Sequence, residues 1–400
     1  MLPLEGLLVV DFSIFLAGPS AGLRLADLGA RVVKIERPDG GDLCRKLYVT
    51  NVTIDGESTI FHAINRNKLS VSANLKDAGD RARVMALVER ADVLLTNFRP
   101  GVMRRLGLDY ENVRERNPRL VYGEVTGYGR QGPWKDLPGQ DLLAQCLSGL
   151  VWWNGTSAHP PLPIGLAIAD IMAGANLAQG VLACLVRRGR TGRGARVEVS
   201  LLESMIEIQA EGLMEFFLTG GMPQREPAWP GHPYRPAPCG IYPTADGYIA
   251  LGECAVPDLS APLALPELSE YVDPAAWMAR RAEIKAVIAS RLRERCNAEW
   301  VRALDAAGIA CMEVLSWDRL MVHPAFARLE MLQEVRLASG TRLRTTRCPI
   351  RIDGRVLKSP LGAPAVGEHN QLVLEEYDES QSRSEQTQGD SAFQYRGLDV

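Results

Sequence analysis

The sequence predicts a doubly wound α/β domain followed by a second, smaller domain. Three observations carry this. From the N-terminus onward, strand-length apolar runs alternate with helical patterns, the signature of βαβ units and a parallel sheet. Composition then breaks at the proline-rich "MPQREPAWPGHPYRPAP" (222–238), after which hairpin and helix patterns resume. Finally, 400 residues with 46% hydrophobic and 23% charged content supply a large core and room for two domains.

In chain order, "GLLVVDF" (6–12) reads as a strand, "AGPSAGLRLADLG" (17–29) as a loop and helix ending at Gly29, and "ARVVKIE" (30–36) as the second strand. The alternation continues with "KLSVSANL" (68–75), a helix over 77–90, "DVLLTNF" (92–98), a short helix from Pro100, and "RLVYGEVTGYG" (119–129). Ligands of such a sheet sit beyond the strand C-termini. The turn-rich "GYGRQGPWKDLPGQ" (127–140) leads to the helical "DLLAQCLSGLVWW" and then to a helix starting after Asp170. Residues 187–221 read as a strand followed by one long helix. Beyond the linker, "CGIYPTADGYIALGE" is a β-hairpin turning at "ADG", helical patterns fill 276–308, and strand character returns near 340–354. The polar, core-poor stretch 379–400 reads as a mobile tail.

Charge excludes some functions. With 45 basic and 48 acidic residues the net charge is -3, so no global field recruits nucleic acid or an anionic membrane, and an anionic ligand must be held by a local cluster. The eight cysteines are scattered, with no C-x-x-C pair and no histidines at ligand spacing, which fits reduced thiols in the cytoplasm and no metal site. The N-terminus has no basic n-region or cleavage site of a signal peptide. One stretch has the length of a membrane span, "PPLPIGLAIADIMAGANLAQGVLACLV" (160–186), but Asp170, Asn176, Gln179 and its glycines argue for a buried helix instead.

Within that stretch Asp170 is the only ionisable side chain apart from cysteine. As a helix N-cap it would be structural; as a carboxylate near oriented N–H groups in a water-poor site it could be a covalent nucleophile. The two are compatible. Asp141 in "PGQDLLAQ" has the same ambiguity at the start of its own helix. The first βα turn, "DFSIFLAGPSAG", invites a dinucleotide reading with Glu36 as ribose acceptor, yet G-x-G-x-x-G is absent. The strand ends are more telling. They carry Arg37 in "ERPDGGD", Lys76 in "ANLKD", and Asn97, Phe98, Arg99 and Arg105 in "NFRPGVMRRLG". Cations at successive strand ends can converge on a phosphorylated nucleotide tail. No histidine lies between 63 and 158, and nothing supports a Ser-His-Asp or Cys-His arrangement.

The ordered series "LEGLLVVDFSIFLAGPSAGLRLADLGARVVKIERPDGGD", "NRNKLSVSANLK", "LLTNFRPGVMRRLGL", "GQDLLAQCLSGL", "GLAIADIMAG", "GRGARVEVSLLES" and "GAPAVGEH" resembles the class III coenzyme A transferases, CaiB/BaiF-type and similar to formyl-CoA transferase, over nearly the whole chain. The resemblance implies a Rossmann-like large domain (1–200, completed by 332–378), a linker helix (201–225), a smaller α+β middle domain (226–331), and a homodimer of interlocked chains. It implies the nucleophile at Asp170 and CoA contacts at Leu16, Ala17, Arg37, Ala73, Lys76, Asn97, Phe98, Arg99 and Arg105. Gln140, Asp141, His232 and Arg235 are expected to line the site. CoA thioesters and carboxylic acids are then substrates, with no permanently bound cofactor.

Leu16 stands where formyl-CoA transferases carry glutamine, and "PGHPYRP" replaces the commoner N-R-H-P. Both departures count against an oxalate-type site, and Arg235 or His232 could meet a second carboxylate, which points to succinyl-CoA as donor and a C4 to C6 dicarboxylate as acceptor. Two alternatives are a 2-methylacyl-CoA racemase and a non-catalytic CoA-binding protein. The racemases carry a His-Asp pair in the motif matching "GQD"; here the histidine position is Gln140, and glutamine is no general base.

Overall fold

The computed structural model describes residues 1–47, 51–222, 225–226, 228–229 and 231–373; the expected tail over 379–400 lies outside the described residues. The chain divides into two compact units. The first comprises Met1–Ala144, Ala167–Met205 and the chain from Glu330 onward; the second comprises Gln145–Leu166 and Ile206–Leu329. Residues 145–166, grouped with the large domain in the sequence reading, thus cluster with the second unit. The segment is closed by the Gln145 side chain, which accepts from the Ile164 N–H (3.0 Å) and donates to the Leu166 carbonyl (3.1 Å), and it is tied to the rest of that unit where the Gln209 side chain donates to the Ser148 carbonyl (3.1 Å) and the Ser157 N–H to the Glu226 carbonyl (2.8 Å).

The first unit is built on strands β1 (Leu8–Asp11), β2 (Arg31–Glu36), a small hairpin of β3 (Thr53–Ile54) and β4 (Glu57–Ser58), then β5 (Leu69–Ser72), β6 (Val93–Thr96), β7 (Val121–Thr126) and β8 (Ala195–Ser200). Six of these form one sheet in the order β5-β2-β1-β6-β7-β8, every pair parallel. Strand order therefore reverses between β1 and β6. Helices α1 (Ala17–Asp27), α2 (Thr59–Asn65), α3 (Ala78–Arg90), α4 (Val102–Leu106), α5 (Tyr110–Arg116) and α8 (Ile168–Thr191) belong to this unit, while α6 (Asp141–Leu147) begins in it and α7 (Leu150–Trp153) lies in the second. Apolar side chains such as Val10, Val33, Val71, Leu94 and Tyr122 fill one core under the sheet. Downstream, a hairpin of β12 (Leu332–Arg336) and β13 (Arg342–Thr346) precedes a return to the outer edge of β5. There His369 N–H bonds the Ser70 carbonyl (2.9 Å) and the Asn370 side chain takes the Ser72 N–H (2.8 Å), covering an edge that would otherwise be open.

Helix α8 is long and apolar enough to cross a membrane by length and composition. Its Ala169, Ala173, Gly174, Leu177, Ala178 and Val181 are nevertheless buried, and Gly174 stands against α1. A Cβ there would lie 2.6 Å from the Ala17 carbonyl, so only glycine permits this approach. The long helix expected after 200 is two helices, α9 (Leu201–Glu207) and α10 (Ala210–Thr219), with the break where the chain leaves the first unit.

The second unit contains the expected hairpin, β9 (Gly240–Pro243) and β10 (Tyr248–Leu251), extended by β11 (Cys311–Glu313) into an antiparallel sheet. Helices α11 (Arg281–Leu292) and α12 (Asn297–Ala306) pack Ile284, Ile288, Trp300 and Leu304 against Tyr242 and Ile249. The Trp300 indole donates to the Leu292 carbonyl (2.7 Å), satisfying the one polar atom in that core residue.

Candidate active site

The C-terminal ends of β1, β2, β5 and β6 surround a cavity of about 420 Å³ at the reversal of strand order, the place where doubly wound sheets take ligands. Its bore is apolar, with Phe12, Ile14, Ile35, Leu75, Phe98 and Leu106. Exposed Arg37, Lys76 and Arg105 stand at its rim. An apolar slot with cations at the mouth suits a long uncharged arm that ends in phosphates.

Of the residues expected to touch CoA, Arg37, Ala73, Lys76, Phe98 and Arg105 are brought together here. Arg37 is oriented by its Nε, which donates to the Gly41 carbonyl (3.0 Å) across the turn after β2. Asn97 lies behind the wall: its side chain takes the Ile14 N–H (2.8 Å) and donates to the Ile14 carbonyl (2.6 Å). Three others do not line the cavity. Leu16 packs near Cys44, Phe61 and Ile64; Ala17 is buried at the start of α1; Arg99 points to solvent.

The floor holds charges that sequence reasoning missed. Lys34 and Asp42 are both buried and 2.8 Å apart. Behind them Lys68 bonds Asp11 (3.0 Å), the Pro19 carbonyl (2.8 Å) and Asn65 (2.9 Å). Burial pushes the Lys68 ammonium down to about 8, against the opposing pull of Asp11. Burial alone would raise Asp11, yet Lys68 and Lys34 hold it below the usual carboxylate range. Glu36 cannot serve as a ribose acceptor. Its oxygens accept from Arg45 (2.6 and 2.8 Å), Ser70 (2.7 Å) and the Asp42 N–H (2.8 Å), so the dinucleotide reading falls on geometry as well as on motif. A signal was present: a lysine inside the apolar strand "RVVKIE" must find a carboxylate, and the last residue of "DGGD" supplies one eight residues on.

Asp170 is not the N-cap that the sequence suggested. It is the third residue of α8, and the cap comes from Asp141, whose Oδ1 accepts the N–H groups of Ala169 (2.6 Å) and Asp170 (3.3 Å). Asp141, expected to cap its own helix, therefore satisfies the orphan donors of another. The Asp170 carboxylate is half-buried and makes no side-chain hydrogen bond among the described residues. Burial, then the charge of Asp141, raise its pKa to about 7. Gln140 is exposed, and its carbonyl accepts the Ala144 N–H (3.0 Å) to start α6. The preceding loop is closed at its base by Gly127 and Gly139, where a Cβ on either would meet the other's Cα at 2.6 or 2.7 Å. That closure sets the position of Asp141 two residues later.

His232 and Arg235 belong to the second unit. Arg235 is ion-paired with Glu211 (2.8 Å) and Glu253 (2.9 Å), and His232 lies 3.9 Å from Glu211. Both side chains there already face carboxylates. Among the described residues, no cluster of histidine, cysteine and carboxylates could hold a metal ion.

Comparison with known proteins is consistent across sequence and structure. The family model described as CoA-transferase family III matches residues 4–370. The chain is 30% identical to a succinate–glutarate CoA-transferase of Agrobacterium fabrum, over 94% of this chain and 96% of that one. It is 33% identical to an acetyl-CoA:oxalate CoA-transferase of Acetobacter aceti, with the same coverage of 94% and 96%. Among solved structures, a CaiB/BaiF family protein from Brucella suis superposes with a TM-score of 0.82 at 29% identity, covering 94% of this chain and 99% of that one.

Proposed function

This chain belongs to CoA-transferase family III and is a transferase acting on CoA thioesters; on that premise we propose that it moves CoA from succinyl-CoA to a small dicarboxylate through a thioester on Asp170. The observation that carries the reading is the division of labour at the start of α8. Asp141 takes the backbone donors, which leaves the Asp170 carboxylate half-buried and without a protein partner among the described residues.

The steps balance without ATP. Asp170 attacks the thioester carbonyl, giving an aspartyl–succinyl anhydride and CoA thiolate. The thiolate attacks the aspartyl carbonyl, releasing succinate and leaving aspartyl-CoA. The acceptor carboxylate attacks that thioester, expels the thiolate and forms a second anhydride. The thiolate then attacks the acceptor's carbonyl, yielding acceptor-CoA and free Asp170. A carboxylate suits the task because it is both nucleophile and leaving group. The cavity over β1 and β6 would hold the pantetheine arm, with Arg37, Lys76 and Arg105 on the phosphates. The relatives named for succinate–glutarate transfer support a C4 to C6 dicarboxylate as acceptor. We further read the enzyme as a cytoplasmic homodimer, because its cysteines are free and the apolar α10 buries no residue within one chain.

Incubation with succinyl-CoA alone, acid quench and digestion should give a peptide spanning Asp170 with the mass of a CoA thioester. Borohydride should convert that aspartyl thioester to homoserine. Label on Asp141, or none in enzyme that is active on its acceptor, would overturn the assignment.

A further inference from the structure

Between β1 and α1 the chain passes through Ser13, Ile14, Phe15 and Leu16, a loop that contributes to the wall of the cavity and leads into the helix packed on α8. Side chains from elsewhere hold the backbone of this loop. Asn97 takes the Ile14 N–H and donates to the Ile14 carbonyl (2.8 and 2.6 Å). Asp42 Oδ1 accepts the Phe15 N–H (3.2 Å) and the Cys44 N–H (2.9 Å). Lys34 Nζ donates to the Ser13 carbonyl (2.6 Å) while paired with Asp42 Oδ2 at 2.8 Å. Lys34 is fully buried and Asp42 is 3% exposed.

The loop needs this holding. Phe15 adopts a φ of 61°, the left-handed region that a bulky residue occupies only when its surroundings over-determine it. Its side chain is 41% exposed, so packing does not supply the constraint. The backbone bond to Asp42 does. An ion pair sealed in the floor of a ligand cavity, with one partner bonded at Ser13 and the other at Phe15, fixes the residues on both sides of Ile14.

We propose that Asp42, held by Lys34, is a positioning residue that locks the Ser13–Leu16 loop so that the CoA thioester in the cavity is presented to Asp170. The proposal rests on the function given above. It acts through the backbone rather than through contact with the reacting atoms, so the acceptor atom matters more than the charge.

The test compares Asp42→Asn, which keeps an oxygen for the Phe15 N–H and loses the charge, with Asp42→Glu, which keeps the charge and displaces the oxygen by a methylene. Asp42→Ala removes both. Turnover with succinyl-CoA and glutarate, and amide hydrogen exchange of residues 13–17, are the readouts. Asp42→Ala and Asp42→Glu should lose roughly 10- to 100-fold in kcat, the cost of a misplacement near 1 Å, with a smaller change in KM for the thioester, and should exchange faster over 13–17. Asp42→Asn should recover both within a few-fold of wild type. If Asp42→Glu outperforms Asp42→Asn, or if exchange over 13–17 is unchanged in all three, the clamp is wrong. Should Asp42→Ala fail to fold, the Asn–Glu comparison remains decisive. Wild-type protein that transfers no CoA would overturn the function while leaving the exchange measurement to judge the clamp.

Discussion

At Asp170 the half-buried setting and the Asp141 charge favour the protonated carboxyl, whereas attack on a thioester needs the carboxylate. The partial positive charge at the start of α8 works in the opposite sense. With a pKa near 7, kcat/KM should rise with pH through neutrality as Asp170 ionises, before any higher limb set by other groups. Asp141→Asn keeps an oxygen for the helix donors but deletes the charge, so its rate profile should move to lower pH. A profile that stays in place would show that Asp141 does not act electrostatically on Asp170. Asp170→Asn should lower turnover by on the order of 10⁴-fold or more, since an amide cannot form the anhydride. It should also change stability in a defined direction. A carboxyl whose folded pKa lies above its unfolded value costs stability as pH rises from the unfolded pKa to the folded one. The thermal midpoint of Asp170→Asn should therefore gain on wild type between pH 4 and pH 7 and hold that gain above it. Asp170 was legible in sequence because a lone charge in an apolar run demands an explanation. The capping role of Asp141 was not, because the donors it serves lie on a helix 27 residues further along.

At the scale of elements, the contact between α1 and α8 sets where Asp170 stands relative to the loop after β1. Gly174 is one turn beyond Asp170 on the same face of α8, and a Cβ there would approach Ser20 Oγ to 2.1 Å and the Ala17 carbonyl to 2.6 Å. The serine can rotate; the carbonyl is backbone and must move with its helix. Gly174→Ala gains about 1 kcal/mol in helix propensity, yet overpacking costs roughly 1–3 kcal/mol, so the protein should be destabilised by up to about 2 kcal/mol net. Urea unfolding measures this, and a stabilised variant would show the helices free to separate. The strands and crossover helices of this layer were readable from apolar runs and their caps. The start of α8 was not, since the Ala167 that precedes it has no capping side chain. Nor was the break between α9 and α10. No glycine or proline marks it, and it falls where the chain passes from one unit to the other. The missed strand β11 is three residues long and is recruited by the β9–β10 hairpin, not by its own pattern.

For the whole molecule, an exposed apolar helix bears on assembly. Helix α10, "AEGLMEFFLT", has no buried residue, and Met214, Phe217 and Leu218 are 61%, 72% and 77% exposed. Ile206 and Ile208, just before it, are exposed as well. A helix that is apolar yet uncovered gains little from folding alone, and contiguous apolar surface of this kind marks an interface. A second copy of the chain is the partner we propose, since a symmetric homodimer repeats the same patch on both sides. Light scattering on the purified enzyme should then give twice the 43.8 kDa chain mass, without dissociation on dilution into the nanomolar range. Phe217→Glu with Leu218→Glu places two charges in that interface, and should yield either a monomer of much reduced thermal stability or a chain that fails to accumulate. Each exposed aromatic or leucine turned to glutamate would instead aid solubility if the face were open to water in the native particle. A wild-type protein of single-chain mass, with a double variant equal to it in stability and activity, would return α10 to the solvent and end the dimer reading.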